Sequence, residues 1–246
     1  MGCLENKTAV VTGGSRGIGA AIAVELARQG ASVAFTYRSD RRAADQIAAS
    51  IEAQGGRVSI WKVDHSDVLA TRKTMIGIAE AAGRVDILIN NAGIFPYGEI
   101  GEMTDSDLDR ALAIHVKAPF AAIQALVPSM PPGGRIISIG SSLGQQVPSP
   151  GLSVYATSKA ALVGMTKALA REFGPLGITV NLVNPGSTNT DMNPSDGPEA
   201  ESERARIAIG RYGLPSEVAS MVTYLAGPDA SYVTGAILPI DGGATA

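Results

Sequence analysis

The chain has 246 residues, 45% of them hydrophobic, which suits one α/β domain with a substantial core. The net charge is −3 with no basic block, which disfavours a nucleic-acid partner. A single cysteine, Cys3, excludes an internal disulfide framework. No secretory signal and no apolar run near the ~20 residues of a membrane span are evident, so we expect a cytoplasmic protein without membrane association. No metal site is predicted.

Short apolar runs rich in β-branched residues alternate with longer helical patterns. The runs predict seven strands, at 8–11, 32–37, 57–63, 87–89, 135–139, 178–183 and 237–240. The helical patterns predict helices near 18–29, 41–54, 67–82, 105–129, 153–173 and 215–226. This alternation is typical of a single Rossmann-type domain over 1–246, a doubly wound parallel sheet with helices on both faces. The irregular stretch at about 187–213, with a short helical pattern at 199–209, predicts a substrate lid.

The first strand runs into a glycine-rich turn at 12–19 that opens the first helix. Glycines permit a tight turn and a close backbone approach, and a helix N-terminus favours a pyrophosphate. The turn therefore predicts a dinucleotide site that includes Gly13, Ser15, Arg16, Gly17, Ile18 and Gly19.

The end of the second strand bears on the choice of cofactor. A carboxylate there would accept hydrogen bonds from an adenosine ribose and favour NAD. This chain has Tyr37, Arg38 and Ser39 instead, and Arg16 is a second cation nearby in such a fold. Two guanidinium groups suit a 2′-phosphate, so we predict NADP(H) rather than NAD(H). Asp40, slightly beyond the strand end, is the one residue here that argues for NAD(H).

Two further strand ends are candidates for cofactor contacts. Asp64 follows the third strand, where it could accept from the adenine amino group or simply cap the next turn. Asn91, Ala92 and Gly93 follow the fourth strand, where small residues let the backbone approach a cofactor.

Tyr155 and Lys159 are four residues apart in a predicted helix, a spacing that stacks them on one face. A cation about 4 Å from a phenol, at an effective dielectric of ~20, is worth roughly 4 kcal/mol, or about three pK units. Such a pair would make the tyrosine a useful general acid. The spacing alone is weak evidence, because it occurs by chance in many chains.

Taken together, these residues resemble the short-chain dehydrogenase/reductase family in its compact form. The motifs follow the family's order over nearly the whole chain: the turn at 12–19, the segment 90–93, Ser142, Tyr155 with Lys159, the run 184–186 and the closing 241–243.

The resemblance implies roles for individual residues. Tyr155 is expected to donate a proton to a carbonyl, or to act as base in the alcohol direction. Lys159 is expected to lower the pKa of Tyr155 and to bind the nicotinamide ribose. Ser142, thirteen residues before Tyr155, is expected to bind the substrate oxygen, and Ser141 to point elsewhere. The residues expected at the nicotinamide edge are Pro185, Gly186, Thr188 and Thr190.

His115 departs from the family pattern, which usually has asparagine there to support a water in a proton relay behind the lysine. Histidine can both donate and accept hydrogen bonds, and it titrates near ~6.5. We hypothesise that His115 keeps a relay function; passive packing is the alternative.

The family includes 3-oxoacyl-carrier-protein reductases, which generally need a basic surface for an acidic carrier protein. Here the stretch 128–134 before the fifth strand has no cation, and Leu176 stands where such reductases often have arginine. We therefore expect a carbonyl reductase or alcohol dehydrogenase acting on a small ketone or aldehyde, with the carrier-protein reductase as the alternative. A sugar dehydrogenase is less favoured, and a dinucleotide-sensing regulator is the non-enzyme alternative.

Apolar residues near the site predict the substrate pocket: Ile94, Phe95, Val147, Leu152 and Met192 beside Ser142, with Ile207 and Ile209 from the lid. By the resemblance, a homotetramer is expected to form through the helices near 105–129 and 153–173 and the last strand.

Overall fold

The computed structural model describes residues 2–246, whose centre is one seven-stranded sheet with every pairing parallel. The strands are β1 (Thr8–Val11), β2 (Ser32–Tyr37), β3 (Arg57–Lys62), β4 (Ile87–Asn90), β5 (Arg135–Ile139), β6 (Thr179–Pro185) and β7 (Ile237–Ile240). Their order is β3-β2-β1-β4-β5-β6-β7. The order reverses between β1 and β4, which confirms the doubly wound sheet and places a ligand crevice at the carboxyl ends of these strands.

Helices cover both faces of the sheet. They are α1 (Gly17–Arg28), α2 (Arg41–Ala53), α3 (Val68–Ala82), α4 (Asp105–Leu112), α5 (Ala118–Leu126), α6 (Ser153–Phe173), α7 (Ala200–Arg204) and α8 (Pro215–Ala226). The side chains of β1 alternate between two cores: Ala9 and Val11 pack with α1 and α8, and Val10 packs with α3, α5 and α6. Both faces are therefore buried, which explains why several strands are apolar throughout.

The helix predicted over 105–129 is interrupted. A π-helical segment, Ala113–Lys117, separates α4 from α5, because the Ala118 N–H donates to the Ala113 carbonyl across five residues. By length and composition Asp105–Ser129 could cross a membrane, which the sequence reading did not expect, but 56% of its most apolar window is buried in the fold. It is a core helix that packs against α3 and α6.

The lid is less helical than the sequence predicted. The pattern at 199–209 yields only the five residues of α7, because the chain then turns and reaches Gly210 with a φ of +69°. Within residues 2–246, no group of three or more His, Cys, Asp or Glu side chains could hold a metal ion.

Candidate active site

A cleft of about 1370 Å³ lies at the carboxyl ends of the strands. It is larger than the ~300–1,000 Å³ of a typical small-molecule pocket, so it has room for a dinucleotide and a second molecule. Every residue predicted to contact the cofactor lines it: Gly13, Ser15, Arg16, Gly17, Ile18, Gly19, Tyr37, Arg38, Ser39, Asp64, Asn91, Ala92, Gly93, Tyr155, Lys159, Pro185, Gly186, Thr188 and Thr190.

The glycine-rich turn is joined to the end of β4 by hydrogen bonds. The Thr12 hydroxyl accepts from the backbone N–H groups of Asn91 and Ala92, at 2.9 and 3.0 Å. The Asn91 amide donates to the carbonyls of Thr12 and Gly13, at 2.9 and 3.1 Å. A Cβ on Gly19 would lie 2.3 Å from the Gly13 oxygen, so only glycine allows this approach.

The adenosine end of the cleft carries exposed cations, while its carboxylates already have partners. Arg16 and Arg38 are exposed. Asp40, the contrary sign for NADP, caps α2 by accepting from the Ala43 N–H at 2.9 Å. Asp64 accepts from the Ser66 N–H and hydroxyl at 2.9 and 2.8 Å, and the Ser66 N–H lowers the pKa of Asp64 most.

His65, which was not expected near the site, supports the glycine-rich turn through a series of hydrogen bonds. The Gly13 N–H donates to the Thr36 hydroxyl at 3.0 Å, and that hydroxyl lies 2.8 Å from His65 Nε2. His65 Nδ1 lies 3.1 Å from the Thr71 hydroxyl, which donates to the Asp67 carbonyl at 3.0 Å. Burial lowers the pKa of His65 to about 4, so the ring is neutral at neutral pH.

Tyr155 and Lys159 lie at the opposite end of the cleft, on α6. Lys159 is 5% exposed, and its Nζ donates to the Ile139 carbonyl at 2.9 Å. Nζ lies 5.8 Å from the centre of the Tyr155 ring. Burial lowers the pKa of Lys159 to about 8.

The expected lowering of the Tyr155 pKa is wrong for this structure. Burial raises the pKa of Tyr155, and the hydrogen bond with Ser141 opposes that rise only in part. In this structure burial outweighs the effect of the Lys159 ammonium, which is held at the Ile139 carbonyl, 5.8 Å from the centre of the Tyr155 ring.

The two serines also differ from expectation. Ser141, which was expected to point elsewhere, is the side chain that hydrogen-bonds with Tyr155. The expectation assumed an extended segment, but β5 ends at Ile139 and Ser142 begins a 3₁₀ turn capped by Ser141. Both serines are buried and line the cleft.

His115 is 1% exposed and lies behind the cleft, in the π-helical segment. Its Nε2 accepts from the Ile94 N–H at 3.0 Å, and its Nδ1 lies 2.8 Å from the Ser158 hydroxyl. Both ring nitrogens have protein partners, so neither is free to hold a water. The expectation that the His115 side chain holds the water is therefore wrong for this structure.

The substrate end has apolar and aromatic side chains together with polar ones from the lid, among them Asn193, Glu203 and Arg206. The predicted residues Ile94, Phe95, Leu152, Met192 and Ile207 line the cleft beside Ser142. Val147 and Ile209 do not line it; they are 53% and 62% exposed. The sequence reading missed Tyr97, which stacks on Phe95 at 6.3 Å, and Ala244 and Thr245 of the C-terminal segment. Tyr97 follows Phe95 by two residues after the fourth strand, and this aromatic pair could have indicated that Tyr97 also lies in the pocket.

A family model described as enoyl-(acyl carrier protein) reductase matches residues 13–245. The chain is 45% identical to a cyclic-di-GMP-binding biofilm dispersal mediator protein of Escherichia coli (strain K12), over 98% of both chains. It is similar to the structure of a blue fluorescent protein from a metagenomic library in complex with NADPH, with 48% identity and a TM-score of 0.97 over 99% of both chains. It is equally similar to a short chain dehydrogenase from Burkholderia cenocepacia J2315 in complex with NADP, with 50% identity and a TM-score of 0.97 over 99% of both chains.

Proposed function

Because the chain belongs to the short-chain dehydrogenase/reductase family, we propose that it is an NADPH-dependent carbonyl reductase that reduces a small ketone or aldehyde and oxidises the secondary alcohol in reverse. One observation carries the proposal. A single cleft has a glycine-rich turn and two arginines at one end and the Tyr155–Lys159 pair at the other.

The residues of this chain fit NADP(H). The glycine-rich turn offers backbone N–H groups and a helix N-terminus to a pyrophosphate. Arg16 and Arg38 are exposed beside it and suit a 2′-phosphate, and one oxygen of Asp40 is engaged in capping α2. The similar structures that hold NADPH and NADP support the same choice.

Tyr155 is the proposed proton donor. When bound, the cofactor supplies a hydride to the carbonyl carbon. The Tyr155 hydroxyl gives its proton to the carbonyl oxygen, which leaves an alcohol and a phenolate. A raised pKa keeps the phenol protonated beforehand, as a donor must be. Lys159, still mostly protonated below pH 8, stabilises the phenolate that forms.

Ser141 is the proposed donor to the substrate oxygen, in place of Ser142. It is the serine that already hydrogen-bonds with Tyr155, so an oxygen held by Ser141 would also be within reach of the phenol. Its own orientation is fixed, since its hydroxyl accepts from the Leu143 N–H at 3.2 Å and its N–H donates to Asn184 Oδ1 at 3.2 Å. A hydroxyl fixed in this way suits stabilisation of developing charge.

The substrate proposed is a free, apolar ketone or aldehyde. Phe95, Ile94 and Met192 give the substrate end an apolar wall. The alternative, a 3-oxoacyl-carrier-protein reductase, needs surface cations, but the Arg135 guanidinium is buried and donates to the carbonyls of Gly133, Gly134 and Gly227. Leu176 is 52% exposed and uncharged.

The test is NADPH consumption over a panel of activated ketones and aldehydes, run in parallel with NADH and with a 3-oxoacyl thioester, free and carrier-bound. We expect turnover of free ketones with NADPH and at least a ~10²-fold loss in Tyr155→Phe, the usual scale of a general acid. NADPH binding by the Tyr155→Phe variant should be retained, as measured by cofactor fluorescence. Faster reduction of the carrier-bound thioester would favour the carrier-protein alternative.

A second candidate is a dinucleotide-sensing regulator. The Escherichia coli relative is named for binding cyclic-di-GMP, and the cations at the adenosine end suit the phosphates of any dinucleotide. Displacement of NADPH by cyclic-di-GMP, together with no turnover over the whole panel, would favour this candidate.

We also propose that the protein is a cytoplasmic homotetramer. Phe120 on α5 is 48% exposed, beside a groove of about 400 Å³ between α3, α5 and α6. Apolar surface of this kind on these helices supports an interface between copies. Light scattering should give four times the mass of one chain, and a monomer at micromolar concentration would contradict it.

A further inference from the structure

A continuous chain of hydrogen bonds runs through His115. It begins at the Ile94 N–H, which donates to His115 Nε2 at 3.0 Å. It passes from His115 Nδ1 to the Ser158 hydroxyl at 2.8 Å. It ends at the Tyr155 backbone carbonyl, which accepts from Ser158 at 2.7 Å. The chain therefore links the loop after β4 to the first turn of α6.

The direction of every hydrogen bond in this chain is determined. A backbone N–H can only donate, so His115 Nε2 carries no proton. In a neutral ring the proton must then be on Nδ1, which donates to Ser158. The Ser158 proton in turn goes to the Tyr155 carbonyl, which can only accept. Every donor and acceptor in this series of hydrogen bonds has a partner.

The ring stays neutral in this position. His115 is 1% exposed, and the titratable side chains that face it are Lys159 and Tyr155. Burial, and then the positive charge of Lys159, lower the pKa of His115 to about 2. A protonated ring would also place a second N–H against the Ile94 N–H. The chain consequently keeps one arrangement across the pH range in which an enzyme works.

These hydrogen bonds join the loop after β4 to the first turn of α6, two parts of the site whose separation must stay fixed. The loop carries Ile94 and Phe95, and the Phe95 ring meets the Tyr155 ring edge-on at 4.8 Å. The His115 ring also meets Tyr155 edge-on, at 5.8 Å. Gly93 allows the ring to approach, since a Cβ there would lie 3.3 Å from His115 Nε2. Reacting groups must be held within a fraction of an ångström for efficient reaction.

We propose that His115 is a positioning residue that, through Ser158, sets the distance between the substrate loop and Tyr155. It neither carries protons nor touches substrate. This inference rests on the proposed role of Tyr155 as proton donor.

The kinetic test uses Ser158→Ala, which removes the middle link and leaves His115 in place. We expect kcat with a ketone to fall about tenfold and the KM for the ketone to rise, with the Kd for NADPH unchanged. Ser158→Thr, which keeps a hydroxyl, should recover most of the activity. Thr157→Ala is the matched control, because Thr157 is an exposed neighbour on the same helix and should leave activity unaltered. Equal kcat and KM in Ser158→Ala and the parent would overturn the proposal.

A spectroscopic test is independent of turnover, so it stands even if no carbonyl substrate is found. The chain has 2 histidines, so ¹⁵N-histidine labelling gives two ring systems, which His115→Asn assigns. We expect the His115 ring to be the Nδ1–H tautomer and not to titrate between pH 8 and pH 5. Titration near its ordinary pKa, or an Nε2–H tautomer, would overturn the proposal.

The pH–rate profile separates positioning from proton transfer. His115→Asn should lower kcat while leaving the shape of the profile unchanged, because a neutral ring contributes no limb to it. Loss of a limb from the parent profile would reinstate the relay.

Discussion

The two ends of the cleft are each supported by one buried histidine, but the two histidines hold different things. At the adenosine end, His65 links the Gly13 N–H of the glycine-rich turn to the Asp67 carbonyl before α3. At the catalytic end, His115 links the Ile94 N–H to the Tyr155 carbonyl. Both series of hydrogen bonds begin at a backbone N–H and end at a backbone carbonyl. The neutral ring of His65 lies between two hydroxyl groups, and that of His115 lies between a backbone N–H and a hydroxyl group.

The difference lies in what faces the solvent beside each chain. The adenosine end has exposed Arg16 and Arg38. These side chains attract an anion by their charge and do not need exact placement to do so. The catalytic end has buried Lys159, Ser141 and His115, where placement decides the rate. Under the proposed function, the same kind of buried support serves cofactor affinity at one end and chemistry at the other. The consequence is that the two functions should be separable by mutation.

The two serines give the strongest contrast within the catalytic end. Ser141→Ala should reduce kcat/KM about 10²-fold, because it removes a fixed donor to the reacting oxygen. Ser142→Ala, its matched control one residue away, should cost only a few-fold. Steady-state kinetics with the best ketone from the panel measure both. A larger loss in Ser142→Ala would restore the assignment that the thirteen-residue spacing suggested.

Both histidines should make the fold sensitive to acid. The folded protein keeps His65 neutral down to about pH 4, whereas the unfolded chain takes up that proton near 6.5. Stability is therefore present above pH 6.5 and lost as the pH falls from 6.5 to 4, by about 3 kcal/mol for this ring. His115, whose pKa is about 2, should lose a similar amount over the same window.

Urea unfolding at pH 7, 6 and 5 tests this expectation. The free energy of unfolding should fall with pH in the parent and fall less in His65→Gln. Carboxylates with lowered pKa values, such as Glu217 at about 2, lose their contribution only as the pH falls below about 5, so they do not obscure measurements at pH 7, 6 and 5. An identical slope in parent and variant would show that His65 does not resist protonation.

Arg38 tests whether charge governs the adenosine end. Arg38→Ala should raise the KM for NADPH about tenfold and leave the KM for NADH nearly unchanged, because only NADPH has the 2′-phosphate. Lys62→Ala, an exposed cation on the neighbouring strand, is the control. Equal losses for both cofactors would contradict the assignment.

Much of the fold followed from the sequence, because alternation of apolar runs with helical patterns leaves few arrangements for a parallel sheet. Strands at 8–11, 32–37, 135–139 and 237–240 have the predicted bounds. The π-helical segment did not follow, since one extra residue in a helix leaves the apolar pattern almost unchanged.

The site was predictable where residue type decides the chemistry and not where side-chain direction does. The glycines in the turn and the pair Tyr155 and Lys159 were predicted from type and spacing, and they line one cleft. Which of Ser141 and Ser142 contacts Tyr155 depends on a 3₁₀ turn, and no residue type in this segment predicts that turn. The partners of His65 and His115 depend on segments that are distant in sequence, such as 36 with 65 and 115 with 158.

Thr71→Val is the change that separates the two ends most cleanly. Valine has nearly the shape of threonine but no hydroxyl, so the His65 Nδ1–H loses its acceptor in a fully buried place. The His65 ring should then shift, and with it Thr36 and the Gly13 N–H, which weakens NADPH binding several-fold, in keeping with the ~1–3 kcal/mol of an unsatisfied buried group. The kcat at saturating NADPH should be unchanged, because the chain through His115 is intact. Thr71→Ser restores the hydroxyl and should restore affinity. A fall in kcat as large as that of Ser158→Ala would mean that the two chains act as one unit.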